Sequence, residues 1–246
     1  RWISEAREII KYGGLQGKTG LRIAEVGCAH GYVLYHLRHQ AANGGELIGI
    51  EPDPSFKVPA EQTFAKARKD VSGTLKTKLI SALFDEDLLP DGSLDVITSS
   101  QVVEHIAETC KWIRGVWNAL KPGGIVFTDL PIQYYNFDAS SQYATDFMLY
   151  KNDAIYRGEF HITLFGHEKL VDEFGGHPSG LPFARMMEAA GFEHVWHGED
   201  INRYVFRKPL AAAKAAADAR ARAAAMAMAE AKAEAEANKL LSTMEA

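Results

Sequence analysis

Two acidic residues and a pair of glycines set out the chemistry that this sequence can offer. The stretch Glu25-Val26-Gly27-Cys28-Ala29-His30-Gly31 ends an apolar run, and a helical pattern begins at Tyr32. Gly27 and Gly31 permit a tight turn and a close approach of backbone to ligand. The helix that follows adds unpaired N–H groups at its start. Glu51 stands just beyond the next apolar run, Leu47–Ile50. A carboxylate there can accept hydrogen bonds from both hydroxyls of a ribose. Alone it reads more simply as a solvated acid at a strand end; beside the glycine loop, the ribose reading prevails. A dinucleotide fingerprint needs G-x-G-x-x-G. Here the glycines fall at i and i+4, and Tyr32 takes the place of a third, which disfavours a pyrophosphate ligand. No Gly-Lys-Ser/Thr closes the loop, so a P-loop is excluded. No G-x-S-x-G occurs, so nothing resembles a serine hydrolase. Cys28, near a helix start, is a possible reactive thiol, but packing is its plainer role. His36 and His39 lie at i,i+3 with no carboxylate near them in sequence, and no metal site is expected.

These residues need a scaffold that brings loop ends together. Strand-like and helix-like segments alternate through the first 208 residues, as in βαβ units around a parallel sheet. Strands are expected at Leu21–Val26, Leu47–Ile50, Lys78–Ala82, Leu94–Thr98 and Ile125–Leu130, and later at His194–Trp196 and Tyr204–Phe206. Helices are expected at Ile3–Tyr12, from Tyr32 to Arg38, at Val58–Lys69, through Trp112–Leu120 and at Ala184–Ala190. Lys121-Pro122-Gly123-Gly124 reads as a turn that ends a helix and enters the fifth strand. Residues 131–166 are less regular and rich in Tyr and Phe, among them Tyr134 and Tyr135. They read equally as a pocket wall or as a surface excursion with a small core of its own.

Composition shifts once, near Pro209. The expected division is 1–208 for the globular domain and 209–246 for an alanine-rich extension. Alanine favours helix, so 210–245 is read as one long helix of about 54 Å at about 1.5 Å per residue. Its small side chains allow close helix approach, and an isolated helix frays; self-association or a protein partner is expected there. The tail carries Lys214, Arg220, Arg222, Lys232 and Lys239 against Asp218, Glu230, Glu234, Glu236 and Glu245, so the formal charge of −5 belongs to the first part. A nucleic-acid partner is not expected from an acidic balance of 27 basic and 32 acidic residues. Two cysteines make no disulfide framework, which suits a reducing, intracellular compartment. No apolar run is long enough to span a membrane. The sequence begins at Arg1 rather than Met, and a targeting segment ahead of it is allowed for.

The ordered set of motifs resembles a class I S-adenosylmethionine-dependent methyltransferase of the small-molecule branch. Glu25–Gly31 is similar to the family's first motif and Ile48-Gly49-Ile50-Glu51 to its second. Leu88-Leu89-Pro90-Asp91-Gly92-Ser93-Leu94-Asp95 resembles the approach to strand four, and Val102-Val103-Glu104-His105-Ile106 the segment after it. Leu120-Lys121-Pro122-Gly123-Gly124 resembles the turn before strand five. His161–Phe165 and Ala189-Ala190-Gly191-Phe192 resemble late segments. Together they cover about residues 3–207. The resemblance implies an α/β, doubly wound, mostly parallel sheet of seven strands in the order 3-2-1-4-5-7-6, one of them reversed, followed by the alanine-rich helix.

It also implies roles. S-adenosylmethionine is the implied cofactor. Glu25 would order the loop and reach the methionine amine. Gly27, Cys28, Ala29 and Gly31 would form the cofactor loop, and Glu51 would hold the ribose. The stretch Leu83-Phe84-Asp85 would lie against the adenine, with Asp85 a partner for its amino group, and Gln101 would lie near the methyl group. Ala29 departs from the family's usual middle glycine. The acceptor pocket would form near Gln101, His105, Tyr134, Tyr135 and His161. His105 and His161 are the candidate bases where the acceptor must lose a proton; each also reads as an ordinary structural histidine. The leading expectation is methyl transfer to a small molecule. The alternative is a catalytically silent subunit attached to a complex by its C-terminal helix.

Overall fold

The computed structural model describes residues 1–106, 108–130, 183–198 and 203–210. Tyr134, Tyr135 and His161, and the expected helix from residue 211 onward, lie outside the described residues. The chain divides between Lys208 and Pro209.

In chain order the first unit holds α1 (Trp2–Tyr12), β1 (Arg22–Val26), α2 (Tyr32–His36), α3 (Arg38–Ala41), β2 (Glu46–Ile50) and α4 (Lys57–Lys69). There follow β3 (Lys76–Ile80), β4 (Leu94–Ser100), α5 (Thr109–Ala119), β5 (Leu120–Asp129), α6 (Phe183–Ala189), β6 (Glu193–His197) and β7 (Arg203–Arg207). The seven strands form one sheet in the order β3-β2-β1-β4-β5-β7-β6. β1 to β5 are parallel, while β7 pairs antiparallel with both β5 and β6. β7 is therefore the one reversed strand, as the resemblance implied.

Side chains alternate across the sheet, so each strand feeds two cores. Ala24, Val26, Ile48, Ile97 and Val126 join Trp112 and Val116 of α5 and Met187 of α6 on one face. Ile23, Leu47, Val96 and Phe127 join Ile9 of α1, Leu34 of α2 and Phe64 of α4 on the other. Glu25 shares the second face with Ile23, and α1 is among the helices that cover it. Gly13 follows α1 where a Cβ would stand 2.2 Å from Ile125 Cδ1, so only glycine lets the chain leave the helix against the sheet.

Three expectations need correcting. The third strand is Lys76–Ile80, not Lys78–Ala82. It is an edge strand with Lys76 and Lys78 exposed, and charged edges conceal the apolar signal. The helix expected from Tyr32 to Arg38 breaks at Leu37 (φ −92°, ψ 3°) into α2 and α3. Lys121-Pro122-Gly123-Gly124 is not a turn ahead of a strand but part of β5. Leu94 pairs with Leu120 and Val96 with Ile125, so the intervening residues bulge from the ladder. Gly123 N–H donates to Lys208 O at 2.7 Å, and Lys208 N–H to Gly124 O at 2.8 Å, which satisfies the bulge from beyond the end of β7.

Candidate functional site: a cavity at the strand carboxyl ends

Strand order reverses between β1 and β4, and ligands of open α/β sheets bind at such a switch point. A cavity of about 180 Å³ opens there, with Glu25, Gly27, Cys28, Ala29 and Gln101 in its wall. It is smaller than the ~300–1,000 Å³ of a site that encloses a drug-sized ligand, and so has room for one end of a larger molecule. The sequence reading missed Arg1, Trp2, Tyr32 and Ser100 as further wall residues. Trp2 and Tyr32 meet with ring centroids 4.5 Å apart, and His30 stacks on Tyr32 at 5.3 Å. A tryptophan just ahead of the amphipathic pattern that begins at Ile3 was the available signal.

The loop's shape follows from its residues. Gly27 (φ 70°), Ala29 (φ 43°) and Gly31 (φ 72°) all adopt positive φ. A Cβ on Gly27 would stand 2.2 Å from Val102 Cγ2, and one on Gly31 2.8 Å from Phe64 Cε1. These two glycines are therefore demanded by protein packing. Gly31 caps α2. Glu51 fastens the loop: Oε2 accepts from Ala29 N–H at 2.9 Å, and Oε1 accepts from Asp53 N–H at 3.0 Å. Each carboxylate oxygen has capacity for a further hydrogen bond, so the same group can take a ligand's hydroxyls.

Glu25 is buried, and its Oε2 has no hydrogen-bond partner among the described residues. Its carboxyl is held well above the ordinary carboxylate range, first by burial and then by Glu5, with Glu51 adding and a Leu34 N–H and Arg1 opposing. Burial likewise raises the Cys28 thiol, with Glu25 and Glu51 adding. Glu5 is fully buried and pairs with Arg1 at 2.8 Å. Glu104 is 1% exposed, and its carboxyl is pushed up to about 7, chiefly by burial, with Asp129 adding to the rise. The buried acids Glu5, Glu25, Glu104 and Asp129 thus outnumber the guanidiniums of Arg1 and Arg203 that pair among them. An unpaired buried acid in its wall, in an acidic surround, suits a cationic ligand. A sulfonium beside an ammonium, as in S-adenosylmethionine, has that chemistry.

Other expected residues fall elsewhere. Phe84 sets its ring edge-on to Trp112, with centroids 6.5 Å apart. Asp85 accepts from Asp87 N–H at 3.1 Å, and its backbone lies against α5, where a Cβ on Gly115 would come 3.0 Å from Asp85 O. Neither is in the cavity wall. Leu83, the first residue of the same expected stretch, is 75% exposed. His105 follows β4 with Nε2 3.8 Å from Glu104 Oε1, and it too is outside the wall. Among the described residues no group of three or more His, Cys, Asp or Glu is placed to hold a metal ion.

Comparison with known proteins agrees with this fold. A family model described as a methyltransferase domain matches residues 24–126. The ubiquinone biosynthesis O-methyltransferase of Azorhizobium caulinodans is 30% identical over 46% of this chain and 41% of the relative. That of Vibrio parahaemolyticus is 29% identical over 45% of this chain and 44% of its own length. The chain spans less than half the length of these curated relatives. Among solved structures, a SAM dependent methyltransferase from Aquifex aeolicus superposes with a TM-score of 0.53 at 14% identity, covering 82% of this chain and 87% of that one. Haemonchus contortus phosphoethanolamine N-methyltransferase 2, solved with S-adenosyl-L-methionine, gives 0.51 at 16% identity over 78% and 37%. These two likenesses concern the fold. The sheet order defines a doubly wound α/β domain. Residues 24–126 thus match a methyltransferase domain, on the fold of S-adenosylmethionine-dependent methyltransferases of known structure.

Proposed function

We propose that this protein transfers a methyl group from S-adenosylmethionine to an oxygen of a small-molecule acceptor. The observation that carries the reading is the Glu25 carboxylate, buried in the cavity wall with an oxygen that no described residue satisfies. When bound, the cofactor supplies an electrophilic methyl on a sulfonium, and its chemistry needs alignment more than activation. Glu25 takes the positive end of the ligand. Glu51 holds the ribose hydroxyls while keeping the loop closed through Ala29. Gln101 lies along the methyl-bearing part. Trp2 and Tyr32 shield the mouth from water. A hydroxyl acceptor loses a proton, and His105 is assigned to receive it, with Glu104 to orient the ring; His161 is the second candidate. Oxygen as the acceptor atom is supported by the names of the curated relatives.

Titration calorimetry with S-adenosylhomocysteine tests the cofactor step. Saturable binding that Glu51→Ala abolishes is expected; no binding by folded protein at millimolar ligand would sink the proposal. Transfer of labelled methyl to a panel of phenols, carboxylates and amines tests the acceptor, and labelled amines with unlabelled phenols would overturn the choice of oxygen. The silent-subunit alternative gains no support, since Glu25, Gly27, Gly31 and Glu51 are assembled around one loop. Association through the alanine-rich segment 210–245 stays a separate proposal, tested by comparing solution mass with and without residues 209–246.

A further inference from the structure

Gln101 bears a side chain at φ +56°, a region that residues other than glycine seldom occupy. It follows β4, which ends at Ser100, lies in the cavity wall beside that residue, and is held from one place. Its N–H donates to Asp129 O at 2.7 Å. Its Nε2 donates to Asp129 Oδ1 at 3.4 Å, and Ser100 Oγ donates to Asp129 Oδ2 at 3.4 Å. Asp129 is itself buried at the end of β5. On its other side it is registered directly against Arg203 of β7, whose Nε stands 3.3 Å from Oδ2. Arg203 is in turn fixed by Glu8 of α1, with Nη1 at 3.0 and 3.1 Å from its two oxygens. Arg1 Nη2 approaches the same Asp129 oxygen at 3.7 Å.

We infer that Asp129 is a positioning residue for the cofactor: its carboxylate, anchored by Arg203, fixes the Ser100–Gln101 segment in the conformation that faces the cavity. The backbone bond alone sets the turn. The side-chain bond sets where the Gln101 amide points, and a carboxylate that has a guanidinium behind it cannot rotate away to water. The inference rests on the proposed function, because it concerns the affinity of that same cavity for its cofactor.

A double-variant cycle tests it, read as the dissociation constant of S-adenosylhomocysteine by calorimetry on the full chain. Gln101→Ala and Asp129→Ala are each expected to weaken binding about tenfold, the scale of one hydrogen bond that involves a charged group. Together they should weaken it no more than Gln101→Ala alone, because Asp129 acts through Gln101. A merely structural Asp129 would give losses that multiply. That result, or an unchanged constant in folded Asp129→Ala, overturns the inference. Should Asp129→Ala fail to fold, Asp129→Leu, which likewise offers Gln101 no acceptor, takes its place in the same cycle, with the same two outcomes. Wild-type protein that binds nothing overturns the proposed function, and this inference with it; wild-type binding with a multiplicative cycle overturns the inference alone.

Discussion

Ala29 places a methyl group at φ +43°, where an L side chain crowds the following carbonyl by about 1–2 kcal/mol. Its N–H is nevertheless committed to Glu51. Replacing it with glycine relieves that crowding and returns some freedom to the unfolded chain, so the two effects oppose each other. Ala29→Gly is expected to leave the melting temperature within about 3 °C of wild type, or above it. A clear fall would show that the methyl packs usefully. Gly27 is the opposite case. Gly27→Ala combines positive φ with a collision against Val102, and is expected to cost about 2–4 kcal/mol in urea unfolding. Val102→Ala in the same chain should recover part of that loss; no recovery would place the strain elsewhere. Both acids of the loop were legible as residues, since Glu25 and Glu51 end their strands in recognisable company. That Glu51 bonds the loop through Ala29 was not, because that depends on β1 and β2 lying side by side.

Among the elements, α1 is held at its outer side by charge. Arg203 of β7 is 12% exposed and meets Glu8 at 3.0 Å and Glu5 at 3.7 Å as well as Asp129. Replacing it with methionine leaves the buried Glu5 and Asp129 to Arg1 alone, and breaking a fully desolvated pair costs about 3–5 kcal/mol. Arg203→Met is expected to lose a few kcal/mol, and amide exchange should show α1 opening before the sheet does. Equal protection of α1 in both proteins would mean that packing of Ala6 and Ile9 suffices to hold it. The sequence shows α1 by its apolar spacing, but not what its polar face meets. Arg203 and Asp129 lie 74 positions apart in the chain and become neighbours only through the reversed strand. The bulge in β5 was hidden for a related reason: Pro122 and two glycines signal a turn, and only the ladder with β4 and the contacts to Lys208 keep those residues in the strand.

At the scale of the molecule, buried acids set the dependence on pH. Glu104 titrates near 7 in the folded state against 4.5 ordinarily. Between those values the folded protein keeps a proton that the unfolded chain has released, so this group's contribution to stability is complete below about pH 4.5 and is lost as pH rises through 7. The loss is about 3 kcal/mol at most. Glu104→Gln is expected to gain on wild type in urea unfolding at pH 8 and to match it at pH 5. An equal difference at both values would mean that the carboxyl does not titrate in that window. The fold as a whole was legible because strand spacing and the motif order agree on one topology; the electrostatics of its carboxyl edge were not, since acids scattered from Glu5 to Asp129 converge only in the folded sheet. Lys208, at the opposite edge, decides where the domain can be cut. Its backbone serves both bulge glycines, and its ammonium donates to the carbonyls of Trp117 at 2.5 Å and Leu120 at 2.7 Å. A polypeptide that stops at Arg207 would leave the end of α5 and the β5 bulge without those partners at once, so a truncation series should show proteolytic resistance collapsing between fragments ending at 208 and at 207, one residue apart.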